Sequence, residues 1–222
     1  MNNITAYVPY LIITITVLTS IKGFNDRVFF DRLKFNVGAI LSSDRQWDRL
    51  VTSAFLHGSW MHLLFNMLTL YFFSGIILNS MGVWHYLLIY FLSVTGGGLL
   101  SLFVNRKNGY YSAIGASGGV VGILFAAIAI VPEIPIRIMF IPIDIPGWIF
   151  GIIYLLFSIY GMRNSIGNIG HDAHMGGAAV GLLWIVLFYP VALSENALYI
   201  GLMLIPLLIL AFMVWKQRDG EH

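Results

Sequence analysis

The 222-residue chain contains no cysteine. That excludes a disulfide, a zinc-thiolate centre and a cysteine nucleophile, and leaves the redox compartment open. Charge is also scarce. Asp, Glu, Lys and Arg make up 10% of the residues, against about 25% in a soluble domain. No such residue lies between Arg49 and Arg106, between Lys107 and Glu133, or between Asp172 and Glu195. The net charge of +2 gives no argument for nucleic acid, and none is expected as a partner. The first apolar run, about residues 5–21, has no basic segment before it, so it reads as a retained helix and not as a signal peptide.

Apolar residues fill the space that charge leaves. They make up 59% of the chain, and the mean hydropathy is +0.84. A span of the bilayer needs about 20 apolar residues. Seven candidates occur, at roughly 5–21, 54–78, 83–104, 114–132, 147–161, 172–190 and 197–215. The expected fold is all-α: a polytopic transmembrane helical bundle, 1–222, forming one membrane domain. Its long connection, 22–53, mixes Lys22, Arg27, Arg32 and four aspartates with Phe24, Phe29, Phe30 and Trp47. That mixture suits the headgroup region. The segment VPEIPIRIMFIPIDIPG carries four prolines and reads as a non-helical connection. The loop 162–171, rich in Gly, Asn and Ser, is expected to be mobile.

Polar groups at membrane depth are costly and each asks for a reason. His57, His62 and Asn66 fall on the second expected helix, Ser117 opens the fourth, and His171 and His174 open the sixth. Successive spans alternate in direction, so these three helices run the same way. All the polar groups sit in their N-terminal halves and can share one depth. His62 and Asn66 share a face at i, i+4, and His174, Gly177 and Gly181 share one at i, i+3, i+7. Small residues let helices approach closely. Contact between that face and Gly115, Gly118, Gly119 and Gly122 would bring His174 to Ser117. A serine hydroxyl is a weak nucleophile without a base. The tetrahedral intermediate also needs donors, for which the Ser117 backbone N–H, Asn66 and His62 are candidates. No carboxylate is available to orient His174, since Asp172 lies only two residues before it. A Ser–His dyad is therefore expected, with neither a metal nor a cofactor. Taken singly, each of these residues has a plainer reading. Serine in a membrane helix usually bonds its own i−4 carbonyl, glycine stripes are packing devices, His57 and His171 read as hydrogen-bonding residues, and His85 as interfacial.

Three motifs together resemble the rhomboid family of intramembrane serine proteases: His-x-x-x-x-His-x-x-x-Asn (His57, His62, Asn66), Gly-x-Ser-Gly (Gly115, Ser117, Gly118) and Ala-His-x-x-Gly-x-x-x-Gly (Ala173, His174, Gly177, Gly181). The resemblance covers about 5–190, a six-helix core. The seventh helix, 197–215, resembles the variants with one added C-terminal span. It implies Ser117 as nucleophile, His174 as general base, and His62 and Asn66 at the oxyanion. It implies transmembrane protein substrates, a water-filled cavity below the membrane surface, and entry between helices 2 and 5 under the 162–171 loop. It also implies that the 22–53 loop dips into the membrane, with Arg49 as its matching arginine. The sequence departs from the family pattern in three places. Asp48 separates Trp47 from Arg49. Val121 stands four residues after the serine, where many members place an aromatic ring that stacks on the histidine. The seventh helix lies outside the core.

Two rivals remain: a catalytically silent relative that binds membrane helices, and a histidine-based metal or solute carrier. The intact Ser117 and His174 oppose the first. The absence of HExxH and of an intramembrane carboxylate opposes the second. The resemblance implies a plasma-membrane protein with its N-terminus in the cytoplasm and its site on the extracytoplasmic side. The loop charges oppose that orientation, because Arg106, Lys107, Arg163, Lys216 and Arg218 would then lie outside and Arg137 alone inside.

Overall fold

The computed structural model describes residues 6–137, 143–164 and 170–219. Among them, α1 (Val8–Asn25), α5 (Trp60–Met81), α6 (Val83–Asn105), α9 (His171–Phe188) and α10 (Pro190–Asp219) are long and apolar enough to cross a bilayer. Two more helices, α7 (Ser117–Ile130) and α8 (Gly147–Asn164), complete the bundle. The protein is an integral, multi-pass membrane protein. Leu11, Leu18, Phe72, Leu88, Leu187 and Leu208 point outward as a lipid-facing surface. Tyr7, Trp60, Trp84 and Trp215, all exposed, lie near helix ends, where aromatic rings favour the headgroup level.

Three helix boundaries differ from expectation, each for a local reason. The second span begins at Trp60 and not near 54. Ser59 is its N-cap and accepts from the His62 N–H at 3.2 Å, which leaves His57 off the helix. The fourth is shorter than its apolar run, with 14 residues. At 1.5 Å per residue it is about 20 Å long, short of the roughly 30 Å hydrocarbon core. It can be short because it is the central helix, and every residue from Gly118 to Ala129 is buried by its neighbours. The seventh follows α9 after only Tyr189, with Pro190 as its first helical residue. Its backbone breaks at Asn196 (φ −121°, ψ 18°). That side chain donates to Ala129 O and Ile130 O, at 3.1 and 3.0 Å, and so caps the C-terminal end of α7.

The connection before α5 is ordered by short elements: α2 (Arg27–Leu33), β1 (Phe35–Asn36), α3 (Val37–Leu41) and α4 (Arg49–Thr52). Arg49 ties them together. It is buried and donates to Asp31 O, Lys34 O and Gln46 Oε1 at 2.7–2.9 Å. Strand β1 pairs antiparallel with β2 (Ser112–Ala113), Phe35 opposite Ala113. Asn36 adds bonds from its amide to Gly109 O, Tyr111 O and Ser112 Oγ. The first loop is thereby stitched to the segment that leads into Ser117. At the opposite end of α7, the proline-rich connection forms a small hairpin, β3 (Pro135–Arg137) with β4 (Asp144–Pro146).

Candidate active site

Glycine sets the distance between α7 and α9. A Cβ on Gly177 would meet the Gly118 carbonyl oxygen, and one on Gly181 would meet the Gly122 carbonyl oxygen. The two backbones are therefore in direct contact along the faces that the motifs mark. Helix α6 joins them. A Cβ on Gly97 would lie 2.5 Å from Ala173 O, and one on Gly118 would lie 3.5 Å from both Ala173 O and Ser93 O. Ser117 precedes Gly118 and His174 follows Ala173, so the two residues stand at the same end of one seam. Both are half-buried. Ser117 Oγ has no hydrogen-bond partner among the described residues.

The turn before Ser117 is pinned donor by donor. Gly115 takes φ +122°, a conformation that side chains disfavour, and its N–H donates to Ser53 O at 3.0 Å. The Ala116 N–H donates to His57 Nε2 at 3.4 Å. The Ser117 N–H is the next donor, and it has no partner among the described residues. It belongs to the first turn of α7, whose N–H groups lack intrahelical acceptors and sit at the positive end of the helix dipole.

His57 itself is fully buried, and the bonds around it fix its tautomer. Ser20 Oγ donates to Phe55 O at 2.9 Å and lies 2.9 Å from His57 Nδ1. The hydroxyl proton is thus committed to Phe55, so Nδ1 carries the hydrogen and Nε2 accepts from Ala116. Burial first, and His62 second, push the His57 imidazole down to about 3. Its ring lies edge-on to His62, with centroids 4.8 Å apart. His62 in turn covers Gly115: a Cβ there would be 2.9 Å from His62 Nε2 and 3.7 Å from Ser117 Oγ. His62 therefore stands beside the nucleophile candidate. Asn66 is buried on the same face of α5, and its amide donates to His62 O at 2.9 Å.

The structure divides the remaining candidates. Asp172 is occupied elsewhere, accepting from Asn105 Nδ2 at 2.6 Å, the Tyr111 hydroxyl at 3.2 Å and the Ala173 N–H at 2.8 Å. Burial and the Asp172 charge raise the Tyr111 phenol above its ordinary range. His171 is buried with no partner on either ring nitrogen among the described residues, packed against Gly161 and Phe157. His85 lies far from the site in the first turn of α6 and accepts from Trp184 Nε1 at 3.1 Å. The sequence reading missed Tyr154 on α8. Its hydroxyl lies 2.8 Å from His174 Nδ1, and its ring stacks on the imidazole.

Two cavities flank the Ser117 turn. One, of about 40 Å³, touches Ser53, Ser101, Ser117 and Ala173. The other, of about 690 Å³, is lined by Lys34, Ser59, His62, Tyr111 and Ile114. The larger has room for on the order of 20 waters. No extensive packing joins α5 to α8, the pair between which lateral entry is expected. Of the 162–171 loop, residues 165–169 lie outside the described residues.

Comparison with known proteins follows the same lines. The family model described as "Rhomboid domain" matches residues 44–191. The mitochondrial Rhomboid protein 1 of Saccharomyces cerevisiae is 27% identical, over 61% of this chain and 40% of its own length. The chloroplastic Rhomboid-like protein 11 of Arabidopsis thaliana is 29% identical, over 68% and 56%. The mitochondrial Presenilin-associated rhomboid-like protein of Bos taurus is 30% identical, over 61% and 37%. The chain thus spans about half or less of the length of these relatives.

Proposed function

The chain belongs to the rhomboid family, and on that premise we propose that it is an intramembrane serine endopeptidase acting on transmembrane proteins. Ser117 is the nucleophile and His174 the general base. His174 Nε2 takes the hydroxyl proton as Ser117 Oγ attacks the scissile carbonyl. The resulting oxyanion is met by the Ser117 N–H, by His62 and by the second amide proton of Asn66. His174 then protonates the leaving amine, and water from the larger cavity hydrolyses the acyl-enzyme by the same steps reversed. The observation that carries this reading is the donor order at 115–117: two N–H groups are consumed in holding the turn and the third, beside the hydroxyl, has no partner among the described residues.

The same geometry weakens the carrier rival, because His57 has both nitrogens engaged in holding the turn. Parity puts the site on the side of the membrane opposite the N-terminus of α1. Two of the three relatives named above are called mitochondrial and one chloroplastic. The plasma-membrane expectation gains no support from those names, and the orientation read from the family arrangement remains part of the proposal. The test is cleavage of a labelled transmembrane substrate by the purified protein in vesicles. Wild type should cut it and Ser117→Ala should not, and a fluorophosphonate should label wild type at Ser117 alone. Cleavage by Ser117→Ala near the wild-type rate overturns the assignment. Inhibition by a chelator with Ser117→Ala unaffected favours the carrier or a metal site. Substrate binding without cleavage by wild type favours the silent relative.

A further inference from the structure

His174 is held by a residue outside all three motifs. The Tyr154 hydroxyl oxygen lies 2.8 Å from His174 Nδ1. The two rings are 27° from parallel, with centroids 5.9 Å apart. Tyr154 is itself fixed, stacked by Phe150 at 5.8 Å and tilted against Phe125 of α7 at 5.9 Å. Standing on α8, its ring therefore touches both the helix that carries Ser117 and the helix that carries His174. Val121 occupies the place four residues after the serine.

Resting on the serine-protease reading, we propose that Tyr154 is the positioning residue of His174: its hydroxyl oxygen accepts from Nδ1–H and so selects the tautomer whose Nε2 can take the Ser117 proton. A neutral imidazole has one N–H and one lone pair. Nε2 can receive a proton only when the hydrogen sits on Nδ1, and an acceptor beside Nδ1 favours that form. When the Ser117 proton arrives, both nitrogens carry hydrogen. The Nδ1–H bond to the phenol oxygen is then charge-assisted and stronger than in the ground state. The phenol keeps its own proton throughout, and nothing is transferred to Tyr154. The other neighbours do not compete for the task. Asp172 is committed to Asn105, Tyr111 and the Ala173 N–H. His171, with its ring 6.3 Å from that of His174, makes no hydrogen bond to it.

The experiment compares Tyr154→Phe, which keeps the ring and removes the oxygen, with Tyr154→Leu, which removes both. Tyr154→Phe should lower kcat on the order of 10- to 100-fold, the size of one hydrogen bond to a charged group, with KM unchanged. Tyr154→Leu should lose more. A merely structural role would move stability but leave the tautomer alone. The deciding readout is therefore the ¹⁵N spectrum of histidine-labelled protein in vesicles, with His174 assigned by its loss in His174→Gln. The wild type should show Nδ1–H at His174, and Tyr154→Phe should show a mixture. An Nε2–H tautomer in the resting wild type, or wild-type kcat in Tyr154→Phe, overturns the proposal. The wild-type spectrum decides even where the variant fails to fold. Because it needs no cleavage, it also separates failure of this inference from failure of the protease reading, which shows as activity independent of Ser117.

Discussion

Gly97→Ala tests whether the seam between helices is what aligns the proposed dyad. Gly97 is on α6 and is no candidate for touching substrate. An added methyl would lie 2.5 Å from Ala173 O and 3.2 Å from its carbonyl carbon, so it falls about 0.9 Å short of ordinary contact at 3.4 Å. Both obstacles are backbone and cannot rotate away. The N-terminal turn of α9 has to move, and His174 is the next residue. Overpacking of this kind costs about 1–3 kcal/mol of stability. A displacement near 1 Å at a reacting group costs on the order of 10²-fold in rate. The expected outcome is a kcat loss much larger than the stability loss explains, with the protein still folded at the assay temperature. Gly75→Ala on α5 is the control, because nothing lies within 4 Å of its added methyl. It should leave kcat unchanged and be neutral or stabilising by up to about 1 kcal/mol. The assay is initial cleavage rate in vesicles, paired with thermal unfolding of both variants. A Gly97→Ala enzyme with kcat within twofold of wild type would refute the claim that the glycine contact sets the geometry of the dyad.

Ser117→Ala and His174→Ala should be equally damaging, and the double variant little worse, because the two act as a unit; additive losses measured by kcat would separate them. Asn66→Ala should lose on the order of 10²–10³ in kcat as an oxyanion donor, whereas full activity would return it to its bond with His62 O. Ser20→Ala removes the acceptor of the buried His57 Nδ1–H and should cost about 1–3 kcal/mol in a melting experiment, with no change meaning that the hydroxyl is dispensable. Since the folded-state value of His57 is depressed from 6.5 to about 3, its contribution to stability is full above pH 6.5. It falls by up to about 1.4 kcal/mol per unit as pH drops toward 3. Melting curves of His57→Asn should show a shallower acid dependence than wild type, and an identical slope would discount His57 as the source.

Much of the candidate site was legible because three co-directional helices each carry their polar groups near the N-terminus, and parity alone brings such groups to one depth. The glycine spacing around Gly118 and Gly177 gave the contact. What escaped depends on how faces meet. Tyr154 sits in an aromatic-rich helix, and its sequence context does not say which face of α8 meets α9. The β1–β2 pairing spans only two residues per strand and leaves no periodic trace. The displacement of His57 was within reach, since Ser59 before an apolar run is a helix-start signal. It was hidden by an apolar segment that continues upstream through Ala54, Phe55 and Leu56. The length of α7 could not be read from hydropathy, because a helix enclosed by protein and a helix facing lipid are equally apolar.

The enclosure of α7 also orders the birth of the molecule. At about 20 Å, this helix is shorter than the roughly 30 Å hydrocarbon core, and its glycines at 118, 119 and 122 leave its backbone open to close neighbours. It also offers lipid nothing that its neighbours do not finally cover. The burial of α7 is completed by helices from both sides of it in the chain: α5 and α6, which emerge first, and α9 and α10, which emerge later. Asn196, reaching back 66 residues to Ile130, closes the far end only when α10 has been made. Ser117 and His174 can therefore meet only once α9 has been made. A nascent chain halted before α9 would carry Ser117 without His174, and so would lack half of the proposed dyad.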